Sequence, residues 1–158
     1  MKKDVSIRPL FDESDARTIA GWFHEFWGNI PPCLTLEQEY GYLEKSFQKQ
    51  LTKLPLSLVY YLDGKPIGII CVSKEEMHSG RSDLTPWINS TFVSESMRGK
   101  KVGSALLDEL HRTLKGLGFG QVYVATREVA KFYQKNGYEF LKAEQKCGMK
   151  FDILKRNF

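Results

Sequence analysis

The chain has 158 residues, 42% hydrophobic and 27% charged, a composition that fits an ordinary globular protein of one domain spanning residues 1–158. No apolar run follows the lysines of Met1-Lys2-Lys3-Asp4, and no stretch reaches the roughly 20 apolar residues of a membrane helix; neither a signal peptide nor a membrane partner is expected. Residues 1–130 carry 16 basic and 16 acidic side chains, so the whole +4 excess sits in the last 28 residues, too modest a patch to predict a nucleic-acid partner and better suited to a solvated face or a small phosphorylated ligand.

In chain order, Val5–Leu10 reads as a short strand. Ala16, Ile19, Ala20, Phe23 and Trp27 then fall on one face of a helix that Gly28-Asn29 and Pro31-Pro32 stop. Thr35-x-x-Gln38 is a capping-box pattern, and Leu36, Tyr40, Leu43, Phe47 and Leu51 behind it predict a second helix. Leu56–Leu62 and Ile67–Val72 flank Asp63-Gly64, a strong hairpin signal. A polar connection over 74–86 leads to a strand at Trp87–Val93. A long helix follows Arg98-Gly99-Lys100-Lys101, with Val102, Leu106, Leu110, Leu114 and Leu117 on its buried side. Val122–Ala125 is a strand, 128–135 a short helix, and 138–156 two strands folding back around Cys147-Gly148. This order predicts an α/β fold: a central mixed, mostly antiparallel sheet of about seven strands flanked by about four helices.

The most informative stretch runs from Val93 to Leu107, a strand feeding a basic, glycine-bearing turn that opens the long helix. The first amides of a helix lack intrahelical partners and carry the positive end of its dipole, so they attract anions. Gly99 and Gly103 allow close approach, while Arg98, Lys100 and Lys101 add charge; a pyrophosphate suits such a cradle. The turn is neither a triphosphatase P-loop nor Gly-x-Gly-x-x-Gly. Read alone, it is equally a basic helix start whose glycines serve packing.

Arg98-Gly99-Lys100-Lys101-Val102-Gly103 resembles the Arg/Gln-x-x-Gly-x-Gly/Ala hallmark of the GNAT superfamily of acetyl-CoA-dependent N-acetyltransferases, with Lys101 where the family has its middle glycine. Ala130-Lys131-Phe132-Tyr133-Gln134-Lys135-Asn136-Gly137-Tyr138 resembles a second family motif, Ala-x-Phe-Tyr-x-x-x-Gly-Phe, at the matching spacing. The resemblance covers nearly the whole chain. It implies that the fourth and fifth strands splay and that pantetheine lies in the wedge against the backbone of Phe92 and Val93. It also implies that Arg98 and the turn from Gly99 through Lys100, Lys101, Val102 and Gly103 to Ser104 hold the pyrophosphate. Thr126 stands where the family often has asparagine and is carried over as a pantetheine contact. Tyr133 matches the tyrosine that protonates the coenzyme thiolate; its structural alternative is an aromatic closing a helix onto the sheet.

Acetyl transfer requires a neutral amine, although a lysine-type amine has a pKa near ~10.4, so a base or a desolvated site must remove a proton. A strand amide near Val93 offers oxyanion stabilisation. Glu25, His24, Asp83 and Glu95 are the base candidates, and Trp22 is a candidate wall of the acceptor pocket. His78 and His111 read as surface residues and Cys71 as a core residue. Three separated cysteines without Cys-x-x-Cys point away from a disulfide framework or zinc site and towards a reducing cytoplasm. The expectation is an acetyl-CoA-dependent N-acetyltransferase acting on a small-molecule or peptide amine, with no metal. The alternative is a catalytically silent acyl-CoA-binding module of the same fold.

Overall fold

The computed structural model describes residues 3–77, 81–146 and 148–158; His78 and the tip of the turn at Cys147 lie outside the described residues. Strands β1 (Val5–Pro9), β2 (Leu56–Leu62), β3 (Lys65–Ser73), β4 (Trp87–Val93), β5 (Gln121–Thr126), β6 (Glu139–Lys146) and β7 (Met149–Asn157) form one sheet, ordered β1-β2-β3-β4-β5-β7-β6. Neighbours run antiparallel throughout, except that β4 and β5 are parallel. The mixed, mostly antiparallel seven-stranded sheet is the one expected.

Helices α1 (Glu13–Trp27) and α2 (Leu36–Glu44) cover one face of the sheet, and α3 (Val102–Gly116) and α4 (Ala130–Lys135) the other. Asp12 caps α1 by accepting from the Asp15 amide at 2.9 Å, and Thr35 with Gln38 closes a reciprocal capping box on α2. Ala16, Ile19, Ala20 and Phe23 bury the inner stripe of α1 against Val59, Ile69 and Cys71. On the opposite face, Leu106, Leu107, Leu110 and Leu114 of α3 are fully buried, each contributing about 1.5–3 kcal/mol. The Asp63-Gly64 turn has φ of +51° and +79°, as a two-residue hairpin turn with both central residues left-handed requires.

Two features of β4 shape the face that α1 and α2 cover. Opposite β3, Ser90 pairs with Cys71 but Ile88 pairs with Val72, so Asn89 is an extra, bulged residue. Its side-chain amide donates to the Glu75 carbonyl at 3.1 Å and to Ser73, and its oxygen accepts from the Met77 amide at 2.9 Å. Against β5, pairing extends only over Trp87–Tyr123 and Ile88–Val124, and the two strands then part.

Two expectations are corrected. Helix α2 ends at Glu44 instead of running on to Leu51, because the chain turns there: the Ser46 hydroxyl is 2.7 Å from both the Leu43 carbonyl and Ser57. Gln48 then holds the following loop through the Lys53 and Pro55 carbonyls. His111 is not a surface residue: it is buried on α3 with Nε2 2.7 Å from the Tyr138 hydroxyl.

Candidate active site

Where β4 and β5 part, a cavity of about 510 Å³ opens. Asn89 to Val93 of β4 form its floor. Phe26, Trp27 and the Ile30–Leu34 connection wall it on the α1–α2 side, and Arg127 to Val129 wall it beyond β5. Phe92 carries the aromatic wall. Its ring lies 5.6 Å from Phe26 and 5.7 Å from Trp27, both edge-on, while Trp22 stacks behind it at 5.6 Å.

The basic turn leads away from one end of this wedge. Arg98 lines the cavity, donates from Nε to the Val93 carbonyl at 3.0 Å, and lies 5.4 Å over the Phe92 ring and 5.5 Å over Phe26. Gly99 has φ +76° and Lys101, the residue capping α3, φ +66°. This pair of left-handed residues turns the chain into the helix, whose first intrahelical bond runs from the Ala105 amide to the Lys101 carbonyl at 3.1 Å. The amides of Val102, Gly103 and Ser104 precede that bond and have no partner in the helix, beside exposed Lys100 and Lys101. Gly103 serves packing as well, because a Cβ there would sit 3.0 Å from the Phe132 ring.

Helix α4 buries Tyr133 behind Thr91 of the cavity floor, outside the lining itself. Its hydroxyl donates to Thr91 Oγ1 at 3.1 Å, and burial pushes its pKa up to about 12 against the lowering effect of that bond. The hydroxyl is therefore held protonated at neutral pH. Thr126, buried at the end of β5, accepts the Val129 amide at 3.3 Å and so fixes the turn into α4.

The acceptor-side candidates are dispersed. Trp22 lies behind Phe92, outside the cavity lining, and Glu25 and Glu95 are exposed and also outside it. Asp83 is exposed and held by Arg81 through two 2.9 Å bonds, which lower its pKa to about 2. His24 lies 3.2 Å through Nδ1 from the Leu34 carbonyl. Glu39 is the residue that sequence reasoning does not pick out. It lines the cavity from the first turn of α2 and is only 6% exposed. Burial raises its pKa, opposed by the charge of His24. The signal for it is its position four residues before buried Leu43 and next to buried Tyr40, a stripe that leaves Leu36 outside at 45% exposure. Near it, burial pushes up the pKa of Tyr42, opposed by the neighbouring Asn89 and Ser90 side chains. Among the described residues, no group of three or more His, Cys, Asp or Glu side chains is placed to hold a metal ion.

A family model described as an acetyltransferase (GNAT) domain matches residues 55–140, over half of the chain. No curated protein matches the sequence. Among solved structures the chain is similar to an N-acetyltransferase from Staphylococcus aureus Mu50, at 16% identity and a TM-score of 0.77 with 98% of each chain covered. It is also similar to a ribosomal-protein-alanine N-acetyltransferase from Brucella melitensis, at 17% identity and a TM-score of 0.75, covering 97% of this chain and 99% of that one. A GNAT-family acetyltransferase from Streptococcus pneumoniae aligns at 15% identity and a TM-score of 0.72, covering 98% and 99%. At such identities the likeness is one of fold.

Proposed function

Since the chain belongs to the GNAT acetyltransferase family, we propose that it moves the acetyl group of acetyl-CoA to a primary amine by direct attack, without a covalent enzyme intermediate. The observation that carries this reading is the early parting of β4 and β5. It leaves the backbone of Thr91–Val93 lining a cavity at whose end the α3 turn begins. When bound, acetyl-CoA supplies an activated acetyl carbonyl and a thiolate leaving group.

The residues present suit that guest. The free amides of Val102, Gly103 and Ser104, with Lys100 and Lys101, match a pyrophosphate in geometry and charge. Phe92 and Val93 present strand backbone to an extended pantetheine arm, and Arg98 ties the end of β4 to the cradle. Tyr133 holds a proton directly behind Thr91 of the cavity lining, and we assign it to the departing thiolate. Among the described residues no helix is long and apolar enough to cross a membrane. We place the reaction in a reducing cytoplasm, which suits the free thiols of Cys33 and Cys71.

A thermal-shift titration tests the reading. Acetyl-CoA at about 100 times its dissociation constant stabilises by roughly 2.7 kcal/mol, which raises Tm by on the order of 5–10 °C. Equal concentrations of ATP or NAD leave Tm nearly unchanged, because ATP has no pantetheine arm and the nicotinamide riboside is too bulky for the slot. No shift with acetyl-CoA well above micromolar concentration overturns the proposal. An equal shift with ATP reduces the turn to a generic phosphate site.

A further inference from the structure

Glu39 combines properties that ordinary structural carboxylates do not. It is 94% buried, it faces the cavity, and among the described residues no side chain or amide donates a hydrogen bond to its carboxylate. Withdrawing an ionised carboxylate from much of its water is costly unless a partner replaces the lost hydration. The N-terminus of α2 offsets only about 0.3–1 kcal/mol of that. His24 on α1 bears on the site from outside, the Tyr42 phenol is kept neutral by burial beside Asn89 and Ser90, and the Cys71 thiol on β3 is kept neutral by burial. None of these groups neutralises the carboxylate by direct contact. The carboxylate oxygens keep their accessible surface towards the cavity, so a cation that completes the site enters there.

The walls beside Glu39 specify what carries that cation. Phe26, Trp27, Ile30, Leu34 and Met77 offer hydrocarbon and ring faces. The two arginines of the lining are already engaged: Arg98 donates to the Val93 carbonyl, and Arg127 contacts Glu128 and the Met149 sulfur. Charged or strongly hydrated tails find no partner on the α1–α2 side.

We propose that Glu39 is the acceptor subsite: it docks the ammonium of a primary amine whose body is apolar or aromatic, and it receives the first proton that the amine gives up. This rests on the acetyltransferase reading and names its substrate class. The proton balance is complete. The ammonium gives one proton to Glu39, and the neutral nitrogen forms the N–C bond as the C–S bond breaks. The thiolate takes the Tyr133 proton, the second amine proton restores Tyr133, and Glu39 releases its proton to water.

Initial rates with 2-phenylethylamine, n-hexylamine, ethanolamine and spermidine, read as free thiol from acetyl-CoA, test the proposal in wild type and Glu39→Gln. Expected are kcat/KM values at least 10-fold higher for the two apolar amines than for ethanolamine and spermidine. In Glu39→Gln, kcat/KM for 2-phenylethylamine falls at least 30-fold at pH 7, and the deficit shrinks below 5-fold near pH 10, where the amine loses its proton in solution. Glu39→Asp recovers part of the pH 7 loss. The acetyl-CoA thermal shift is unchanged in both variants, which separates the subsite from the coenzyme site. A wild type that binds acetyl-CoA but prefers polar amines, or turns over no amine of the panel, overturns the subsite and leaves the family reading standing. So does a Glu39→Gln deficit equal at both pH values, or absent. Failure of the wild type to bind acetyl-CoA removes the reading on which the subsite rests, and the subsite with it.

Discussion

The hydroxyl of Tyr133 on α4 donates to Thr91 Oγ1 on β4 across 3.1 Å, tying a buried phenol to a residue that lines the cavity. Burial raises the tyrosine pKa to about 12, so the group enters the reaction as an acid. Tyr133→Phe keeps the ring packed against Tyr138 and removes only the proton. Turnover is expected to fall about 10²–10⁴-fold, with acetyl-CoA affinity within about threefold of wild type. Single-turnover kinetics beside a binding titration check this, and unchanged turnover with chemistry rate-limiting makes Tyr133 a packing residue.

Ser104 is the third residue of α3, among the free amides of the cradle. A carboxylate there complements the helix dipole by about 0.3–1 kcal/mol while repelling a pyrophosphate. Ser104→Asp is expected to match or slightly exceed wild type in Tm yet bind acetyl-CoA at least 10-fold more weakly. The same charge at Gly103 is a poorer probe, since any Cβ there meets Phe132. Wild-type affinity in Ser104→Asp moves the phosphate site elsewhere.

Lys101 holds φ +66°, where a side chain costs about 1–2 kcal/mol, and glycine loses about 0.5–1 kcal/mol of that gain to chain entropy. Lys101→Gly is expected to raise stability by about 0.5–1 kcal/mol in urea unfolding. A loss of stability means that the lysine side chain, not the backbone angle, is what the position requires.

His111 is buried between α3 and Tyr138. Burial, and then the charge of Arg156, lower its pKa to about 4, opposed by Asp108. The unfolded chain, with an ordinary histidine near ~6.5, binds more protons between those values, so stability falls as pH drops from about 6.5 to 4. The loss is on the order of 1–2 kcal/mol after solvent screening. Urea midpoints at pH 7 and 4.5 measure it, and His111→Gln is expected to flatten the slope. A slope unchanged by that substitution assigns the acid sensitivity to other groups.

Local chemistry makes much of this legible in the chain: the Thr35–Gln38 box, the Asp63-Gly64 turn, the leucine stripe of α3 and the glycine-basic turn all stand where the residues predict. Tertiary choices are not legible in the same way. Phe47 and Leu51 keep helical spacing with α2, but Ser46 turns the chain before either enters the helix. His111 lies four residues after Leu107, on the edge of the buried stripe, and nothing local announces Tyr138 as its partner. Glu39 carries only its offset from Leu43 as a signal: beside Glu37 it looks like a solvated first-turn carboxylate until the α1–α2 connection folds over it.

The extra residue Asn89 sets the parity of every later residue on its strand. On β4, Ile88 faces the α3 core, yet beyond the bulge it is Thr91 and Val93 that share that side, while Phe92 faces α1. Flattening the bulge with Asn89 still in the strand would impose strict alternation through position 89 and exchange the two sides beyond it. Phe92 would then be driven among the leucines of α3, and Thr91 would turn its back on Tyr133. The aromatic wall and the acid's partner thus depend on Asn89 staying bulged out of the ladder, where its bonds to Ser73, Glu75 and Met77 hold it. The looping-out of one residue at this point of β4, more than the identity of any one lining side chain, decides which chemistry faces the wedge.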